Sequence, residues 1–547
     1  MKKMNKLSII LFHALLILIS KCQMNNFICR ADKIKVNLLN LNLTEKEEKR
    51  RLAAEYSPIK IVVDYSDFGQ PSSMKSDNFN KMKALIEDTL TEFKKFLRVQ
   101  HYDIDLSGQE DSIKQSCNIN SISSSYANYL KDNDVIVFAK FNSELEQKEI
   151  SAAKLCLTHG NRPHPIAGVL EVNPNFDFSL ENNDLFIKQI LFHEISHILI
   201  FDKNLLKQLG MLTTKNSREY ITSSRVLSKG KRHFNCSSLS GLPLEDQLLQ
   251  GNPPGTHWDA RYMLGDYMIT QFYPDMVLSD ITLALFEDAL YYQVDYYSGG
   301  LFKFGKNKGC NFLNKNCIEK GEPLFEEFCS SFETPLCSSS RITKGSCIIN
   351  DYINYNISVP SKYQYFENPN YGGNYFADFC PVTDIPHNQN NYFPTHCKVG
   401  NSTFPSEFGE EMSDTSFCFL SSLTPPSYDY NSTIRAMCYK VECHKDTEQI
   451  IVNVGTTTFI CPTNGGIVSG NGFKGVLTCP KYYDICDTDS NQLCNNIFDC
   501  LNKKVEVNDD SYIMPGNMSF DRYIPYGYSK GIKINILAFL IIFLLIF

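Results

Sequence analysis

The chain has 547 residues, 43% of them hydrophobic, which is enough to fill two or three packed cores rather than one. It carries 53 basic and 61 acidic side chains, which gives a formal net charge of -8 at pH 7. Nucleic-acid-binding proteins need clustered Lys and Arg on a basic background, so this balance argues against DNA or RNA as a partner.

The N-terminus has the pattern of a secretory signal. Three lysines precede the apolar run 7–19, whose length suits a signal-peptide core and is too short to cross a bilayer comfortably. We therefore predict a signal peptide over residues 1–22. The 20 cysteines of the chain fit the oxidising secretory route that such a signal implies.

A charged segment follows, which we predict to be a pro-segment over residues 23–56. It includes the run Glu-Lys-Glu-Glu-Lys-Arg-Arg and is poor in hydrophobic residues. Such a run buries little apolar surface, so we expect this segment to be exposed and to be cut near Arg50-Arg51. The alternative is a solvated helix at the start of the mature domain.

From Pro58 onward the chain alternates predicted strands with predicted helices, as in an α/β or α+β domain with helices packed on a sheet. In chain order, the predicted elements are a strand over 59–63, a helix over 79–97, a strand over 134–141, a turn and helix over 141–153, and a strand over 166–172.

The apolar stretch 184–201 contains His193, Glu194 and His197 in the pattern His-Glu-Ile-Ser-His. Histidines four residues apart lie on one face of a helix, so both imidazoles can reach one metal ion with the carboxylate beside it. This is the arrangement of a zinc hydrolase. The competing interpretation is a pair of histidines on a buried helix.

A catalytic zinc needs three protein ligands and an open position for water, so a third ligand has to come from elsewhere. His257 is the best placed of the later histidines, because it follows the Pro- and Gly-rich turn 251–255 and precedes Met263 and Met268.

Between His197 and His257, residues 203–234 are basic and rich in Ser and Thr, without a predicted element. A further helix is predicted over 281–294. The remaining later histidines are His233, His387, His396 and His444.

The region from Cys310 to Cys500 is dense in Cys, Gly, Pro, Asn and aromatic residues, which predicts one or two disulfide-stapled domains. Without Cys22 at the signal boundary and Cys29 in the pro-segment, eighteen of the 20 cysteines remain, an even number suited to complete pairing. A cysteine left over ahead of a zinc enzyme suggests a switch, in which the Cys29 thiolate fills the fourth zinc position and keeps the precursor inactive. The alternative is a disulfide between Cys29 and Cys22.

The chain ends in the apolar run 534–547, preceded by a polar stretch that contains glycines. A spanning helix needs about 20 apolar residues, so we predict a GPI-attachment signal over 517–547, with a short membrane anchor or a degenerate tail as alternatives. Glycosylation sequons fit an extracellular surface and lie at Asn42, Asn235, Asn356, Asn401, Asn431 and Asn517.

The order of these motifs resembles the leishmanolysin family of metzincin peptidases. The resemblance lies in His-Glu-Ile-Ser-His, a long insertion, the run His257-Trp258-Asp259 and a Met within about a dozen residues. It covers residues 57–500 and is densest over 162–310. The residues that match the family's site are His193, His197 and His257 as ligands of one zinc ion per chain, Glu194 as general base and Met268 as the Met-turn residue, with Met263 as its alternative.

The resemblance implies an α+β fold, in which a metzincin-like catalytic domain with a mixed sheet and an active-site helix precedes a cysteine-rich, disulfide-stapled C-terminal region. It implies a zinc-dependent endopeptidase for protein or peptide substrates, displayed at the cell surface through a lipid anchor and involved in proteolysis and cell adhesion. No oligomeric state follows from it. We expect an N-terminal catalytic subdomain over 57–202 and a central subdomain with the third ligand and the Met-turn over 203–330. The cysteine-rich C-terminal domain is expected over 331–516.

Two local expectations come with the resemblance. The strand around Ala167-Gly168 is expected to pair with an extended substrate through main-chain hydrogen bonds. Ile200 stands where the family usually has a glycine, which accepts left-handed dihedrals. Either the helix continues through Phe201 and turns later, or the site is distorted. A distorted site would favour the alternative function, a surface adhesin or receptor that keeps the fold without the chemistry.

Overall fold

The computed structural model describes residues 28–31, 34–41, 55–72, 74–146, 149–178, 184–248, 255–296, 302–385, 395–400, 402, 404–429, 432–486 and 496–503. All of them belong to one compact unit, Met1–Val507. The predicted signal peptide, the Arg50-Arg51 cut site and the C-terminal tail 517–547 lie outside the described residues. No helix among the described residues combines the length and the hydropathy needed to cross a membrane.

The N-terminal part contains strands and helices in alternation. Its strands are β1 Leu39–Leu41, β2 Tyr56–Pro58, β3 Ile61–Asp64, β4 Leu97–Gln100, β5 Val135–Phe141, β6 Ser151–His159 and β7 His164–Val172. Its helices are α1 Ser76–Phe93, α2 Glu110–Cys117, the short α3 Tyr129–Asp132 and α4 Asp184–Leu199.

Five of these strands form a mixed sheet in the order β1-β6-β7-β5-β3. Strands β3, β5 and β7 pair in parallel, whereas β6 runs antiparallel to β7. Helix α4 packs on β6 and β7, with α1 beside it. Almost every side chain of α4 is buried, which explains why its sequence is apolar on all faces rather than on one stripe.

Two predicted helices end earlier than expected and a third is absent, in each case next to residues that form a strand. The helix predicted over 79–97 ends at Phe93, since β4 pairs with β2 and with β11, Tyr292–Val294. The helix predicted over 281–294 ends at Asp288, and Leu290 has a φ of 67° that breaks it before β11 begins. Of the turn and helix predicted over 141–153, the turn is present at residues 143–144, but the helix is wrong: Phe141 ends β5, Ser151 begins β6, and the described residues between them contain no helix.

The predicted exposure of the pro-segment is also wrong for residues 29–31 and 34, whereas Lys35, Asn37, Asn40 and Glu55 are exposed as expected. Cys29 is fully buried, and Ala31 and Ile34 are buried with it. Leu39–Leu41 adds β1 in parallel to the edge of the main sheet, opposite Leu157 to His159. The alternation of apolar residues from Ile34 to Leu41 is the signal that could have indicated this strand.

The central part holds elements that the basic composition concealed, among them a hairpin and two helices between residues 203 and 234. In chain order they are α5 Lys203–Gln208, β8 Leu212–Lys215, β9 Arg218–Ile221, α6 Ser224–Phe234, β10 Leu242–Pro243, α7 Ala260–Met263, α8 Asp280–Asp288, β11, and α9 Cys310–Asn314. Strands β8, β9 and β10 form an antiparallel sheet.

The C-terminal part is built of short strands and one larger antiparallel sheet with its own hydrophobic core. The short strands are β12 Ile318–Glu319, β13 Glu322–Pro323, β14 Pro335–Cys337, β15 Lys344–Cys347, β16 Asn350–Asp351, β17 Tyr371–Gly372 and β18 Thr383–Asp384. The strands of the larger sheet are β19 Ser416–Ser421, β20 Arg435–His444, β21 Gln449–Val454, β22 Thr457–Cys461, β23 Gly466–Gly470 and β24 Phe473–Cys479. Their order in the sheet is β22-β21-β20-β19-β24-β23. The helices α10 Tyr482–Ile485 and α11 Ile497–Lys503 follow the sheet.

Disulfides staple this part, as expected from its cysteine content. Every described cysteine from Cys117 onward is disulfide-bonded, including Cys500, whereas Cys29 is a thiol. The pairs with both members described are Cys117–Cys156, Cys236–Cys310, Cys317–Cys380, Cys329–Cys347, Cys337–Cys418, Cys397–Cys438, Cys443–Cys486 and Cys461–Cys479. The mixed sheet, its helix and the stapled C-terminal region confirm the expected α+β class.

Candidate metal centre

Helix α4 packs closely on the main sheet near its histidines. A Cβ atom on Gly168 of β7 would lie 2.5 to 2.8 Å from the side chain of Ile198. The absence of a side chain at Gly168 therefore lets α4 approach the sheet, and the helix presents His193, Glu194 and His197 along one edge of it.

The structure brings the two helix histidines together with His257, as predicted. The three Nε2 atoms form a triangle with sides of 3.2 Å. An edge of about 3.3 Å belongs to a tetrahedron with metal–nitrogen bonds of about 2.0 Å, which is the geometry of zinc. All three imidazoles are buried.

The protonation of the rings also fits a metal. The Nδ1 atom of His193 donates to the carbonyl of Tyr267 at 2.6 Å, and the Nδ1 atom of His197 donates to the carbonyl of Phe201 at 2.9 Å. Burial lowers the pKa of His193 to about 3 and that of His197 to about 4, and it lowers the pKa of His257 well below its ordinary value. The rings are therefore neutral, and Nε2 lone pairs converge on one point, an arrangement that a cation would stabilise.

Cys29 completes the cluster as a fourth donor. Its Sγ atom lies 3.4 Å from the Nε2 atom of His197. One ligand atom from each of Cys29, His193, His197 and His257 lies within 4.8 Å of the others. The backbone N–H of Cys29 donates to the carbonyl of Thr270 at 3.0 Å, which anchors this part of the segment. Three nitrogens and one thiol sulfur form a donor set that suits zinc.

Glu194 lies against the same cluster and is fully buried. Its Oε2 atom accepts a hydrogen bond from the Ala153 N–H of β6 at 2.8 Å. Burial raises the pKa of Glu194 to about 8, against the hydrogen bonds from Cys29 and Ala153 that lower it. The sequence did not indicate Ala153, because a main-chain donor on a strand leaves no mark in residue type.

The loop that carries His257 is held by its main chain. The His257 carbonyl accepts the Glu245 N–H at 3.0 Å, and the Trp258 N–H donates to the Met268 carbonyl at 2.9 Å. The indole N–H of Trp258 donates to Thr282 at 2.8 Å. Trp258 is the only tryptophan of the chain, and its buried side chain anchors the position next to His257 in the core.

The two candidate methionines are both fully buried. Met268 is hydrogen-bonded to the residue next to His257, and its own N–H donates to Asp266 at 2.8 Å. The same turn contains Tyr267, whose carbonyl accepts the hydrogen bond from Nδ1 of His193. The Tyr267 hydroxyl lies 2.9 Å from the Ser196 hydroxyl. These contacts favour Met268 over Met263, although its role as the Met-turn residue stays a prediction.

Ile200 does not distort the site. It is absent from the described residues with positive φ, and its N–H donates to the Ser196 carbonyl at 2.9 Å in helical fashion. The Phe201 N–H donates to the same carbonyl at 3.0 Å, and Asp202 then caps α5. The expected continuation of the helix through Phe201 is wrong, since α4 ends at Leu199, and the chain turns away at Ile200 and Phe201 without a left-handed residue at position 200.

The expected pairing of a substrate with the strand around Ala167-Gly168 is wrong. This strand, β7, lies inside the sheet, and both of its edges are occupied, by β5 and by β6. Strand β6 is the one beside Glu194, and β1 covers only its end at Leu157 to His159.

Comparison with known proteins agrees with this geometry. The family model described as Peptidase_M8, Leishmanolysin, matches residues 80–492. Leishmanolysin of Leishmania major is 26% identical over 359 residues, which cover 62% of this chain and 58% of the relative. The leishmanolysin homolog of Crithidia fasciculata is 28% identical over 357 residues, with 61% and 52% covered. The leishmanolysin-like peptidase of Drosophila melanogaster is 27% identical over 306 residues, with 49% and 44% covered.

The chain thus spans about half the length of the curated relatives that it matches. The family model covers well over half of the chain and includes all three histidines and Glu194. The chain belongs to the leishmanolysin family of M8 peptidases.

Proposed function

We propose that this protein is a zinc-dependent endopeptidase that hydrolyses peptide bonds in proteins or peptides. The observation that carries the proposal is the convergence of three neutral imidazole nitrogens, 3.2 Å apart, beside a buried carboxylate. One zinc ion per chain, held by His193, His197 and His257, would polarise the scissile carbonyl and acidify a water molecule.

Glu194 is the proposed general base. Its carboxylate is positioned by the Ala153 N–H, and it lies on α4 between the two helix ligands. It takes the proton of the attacking water and passes it to the leaving amine, so no covalent intermediate is needed. The Tyr267 and Phe201 carbonyls hold the imidazoles of His193 and His197 in the tautomer that leaves Nε2 available. Met268 is the proposed Met-turn residue.

We further propose that the described state is latent and that Cys29 is its switch. The Cys29 thiol lies beside the imidazole nitrogens and hydrogen-bonds to Glu194, so it blocks the metal site and the base together. Departure of residues 28–41 would admit water, reduce the burial that raises the pKa of Glu194 and leave a fourth zinc position open.

Display at the cell surface through a lipid anchor is also a proposal, with the secretory pathway as the route. It is supported by the apolar runs at both ends of the sequence and by its cysteine content. A secreted protein and a protein with a short membrane tail are the alternatives. The second candidate function is a surface adhesin or receptor with impaired chemistry.

The test compares the processed protein with its Glu194→Ala variant on unfolded casein, with and without a zinc chelator. We expect the variant to lose roughly a thousandfold in turnover while it still binds zinc, because the ligands are intact. Glu92→Gln is the matched control, since Glu92 is buried against Lys188 of α4 but does not contact the histidines. Equal turnover by the Glu194→Ala variant, or activity that persists in chelator, contradicts a zinc peptidase, whereas no turnover by either protein favours the adhesin.

A further inference from the structure

The third histidine differs from the other two in how its ring is held. His193 and His197 each donate from Nδ1 to a main-chain carbonyl. The ring of His257 instead hydrogen-bonds to the main chain of Gly255, in its own loop, and packs against that residue, where a Cβ atom would lie 2.9 Å from Cε1. The position of the His257 ring therefore depends on the main chain of its loop.

Asp259, two residues further on, fixes that main chain. It is fully buried, and its Oδ1 atom accepts the Arg261 N–H at 2.7 Å, which caps α7. Its other carboxylate oxygen forms an ion pair with the guanidinium of Arg218. Arg218 is the first residue of β9, in the hairpin that precedes the loop.

Arg218 connects the loop to two more segments. Its Nε atom lies 3.5 Å from Asp246, and its Nη1 atom lies 3.4 Å from Asp378. Asp378 belongs to the disulfide-stapled C-terminal part, two residues before Cys380. The side chain of Arg218 is only 14% exposed, so one mostly buried guanidinium is shared by three carboxylates, two from the central part and one from the C-terminal part.

The charge balance of this cluster makes Arg218 hard to replace. Without it, the carboxylates of Asp246, Asp259 and Asp378, whose oxygens lie within 4.8 Å of one another, would face each other in a largely buried space. Removing one partner of a buried ion pair leaves the other charge uncompensated and moves the segments apart. The loop that carries His257 is one of these segments, so its position depends on this ion pair as well as on the main-chain hydrogen bonds of Glu245 and Trp258.

We propose that Arg218 is a positioning residue for the third metal ligand: it holds Asp259, and through Asp259 the His257 loop, and couples that loop to Asp378 of the C-terminal part. The inference rests on the proposed zinc site. It assigns the C-terminal part a role in metal affinity and not only in stability.

The test measures the zinc dissociation constant of the full chain by competition with a chromophoric chelator. We expect Arg218→Met and Asp259→Asn each to weaken zinc binding about tenfold to a hundredfold, the usual effect of losing a group that orients a ligand. The double variant should bind zinc no more weakly than Arg218→Met alone, because Arg218→Met already removes the Arg218–Asp259 ion pair. Asp378→Asn should weaken binding by a smaller factor. Lys203→Met is the control. Lys203 lies on α5 and forms its ion pair with Glu219, the neighbour of Arg218 on β9, and not with Asp259.

The outcomes separate this inference from the proposed function. If the wild-type chain binds no zinc, the proposed function fails and the inference with it. If the wild type binds zinc and the Arg218, Asp259 and Asp378 variants bind it equally well, the inference alone is overturned. A lower melting temperature of the zinc-free variants with unchanged zinc affinity would likewise overturn it, because it would show a purely structural role. If Arg218→Met does not fold, the zinc affinity of Asp378→Asn is the deciding measurement: weaker binding than in the wild type supports the inference, and equal binding overturns it.

Discussion

Asp266 shows how a single buried side chain organises the turn beneath the site. It is fully buried, its Oδ1 atom accepts the Met268 N–H at 2.8 Å, and its Oδ2 atom accepts the Thr282 hydroxyl at 2.7 Å. Thr282 in turn receives the indole N–H of Trp258. One carboxylate therefore links the turn that contains Met268 to Trp258, the residue beside His257, in a place where burial disfavours its charge.

This burial has a measurable effect on stability. It raises the pKa of Asp266 to about 6, although the Ser279, Met268 and Thr282 hydrogen bonds oppose the rise. Between pH 4 and pH 6 the unfolded carboxyl ionises while the folded one stays protonated, so rising pH lowers the free energy of unfolding by up to about 3 kcal/mol. We expect the stability of the wild type, relative to Asp266→Asn, to fall over that interval and then level off. Urea unfolding at several pH values measures it, and a flat or rising difference contradicts the assigned environment.

At the residue scale the sequence indicated side chains and not the main-chain groups that serve them. The spacing of His193 and His197 follows from the helical period, so the pair was predictable without any fold. His257 follows only after a long insertion, and its place depended on the motif around it. The carbonyls of Tyr267 and Phe201 and the N–H of Ala153 carry no residue signature, and the structure alone identifies them.

The element on which the proposed latency depends is the segment 28–41. Cys29 brings it to the imidazoles, Arg30 faces Glu149 at 3.9 Å with both side chains buried, and β1 pairs with the end of β6. The segment therefore runs along the strand that flanks Glu194. Its removal would uncover both the metal site and the edge of β6, to which an extended peptide could add by main-chain hydrogen bonds.

We expect Cys29→Ser to make the unprocessed chain active on casein, because a serine hydroxyl is a far weaker zinc ligand than a thiolate. The comparison is made between unprocessed proteins, with chain length checked before and after the assay. Asn40→Ala is the control: it removes the hydrogen bond to the Gly160 carbonyl but keeps the thiol, so it should stay latent. Unchanged latency of Cys29→Ser would exclude the switch.

Helices and strands were predictable where one pattern dominated. The face of α1, with Met82, Leu85 and Ile86 buried, follows its apolar spacing. The errors arose where tertiary pairing decides the outcome, as at Tyr292–Val294, which pairs with β4 instead of continuing a helix. Because the prediction for the pro-segment relied on the charged residues of 42–56, it missed the apolar pattern of the preceding residues and therefore strand β1.

At the scale of the whole molecule, the cysteine content correctly indicated a stapled C-terminal part. It could not indicate the connections, since pairing depends on which strands become neighbours. The bridges Cys317–Cys380 and Cys337–Cys418 each close more than sixty residues of chain, and the first lies two residues from Asp378. The C-terminal part thus reaches the central loop through Arg218, a contact that no local sequence pattern predicts.

The most direct test of the central claim is a zinc titration of the metal-free, processed protein, with hydrolysis of casein followed at each addition. We expect activity to rise in proportion to added zinc and to stop rising at one ion per chain. The same titration of Glu194→Ala should bind one ion and restore almost no activity. Activity in the metal-free protein, or equal activity in the variant, would contradict a zinc peptidase built on His193, His197, His257 and Glu194.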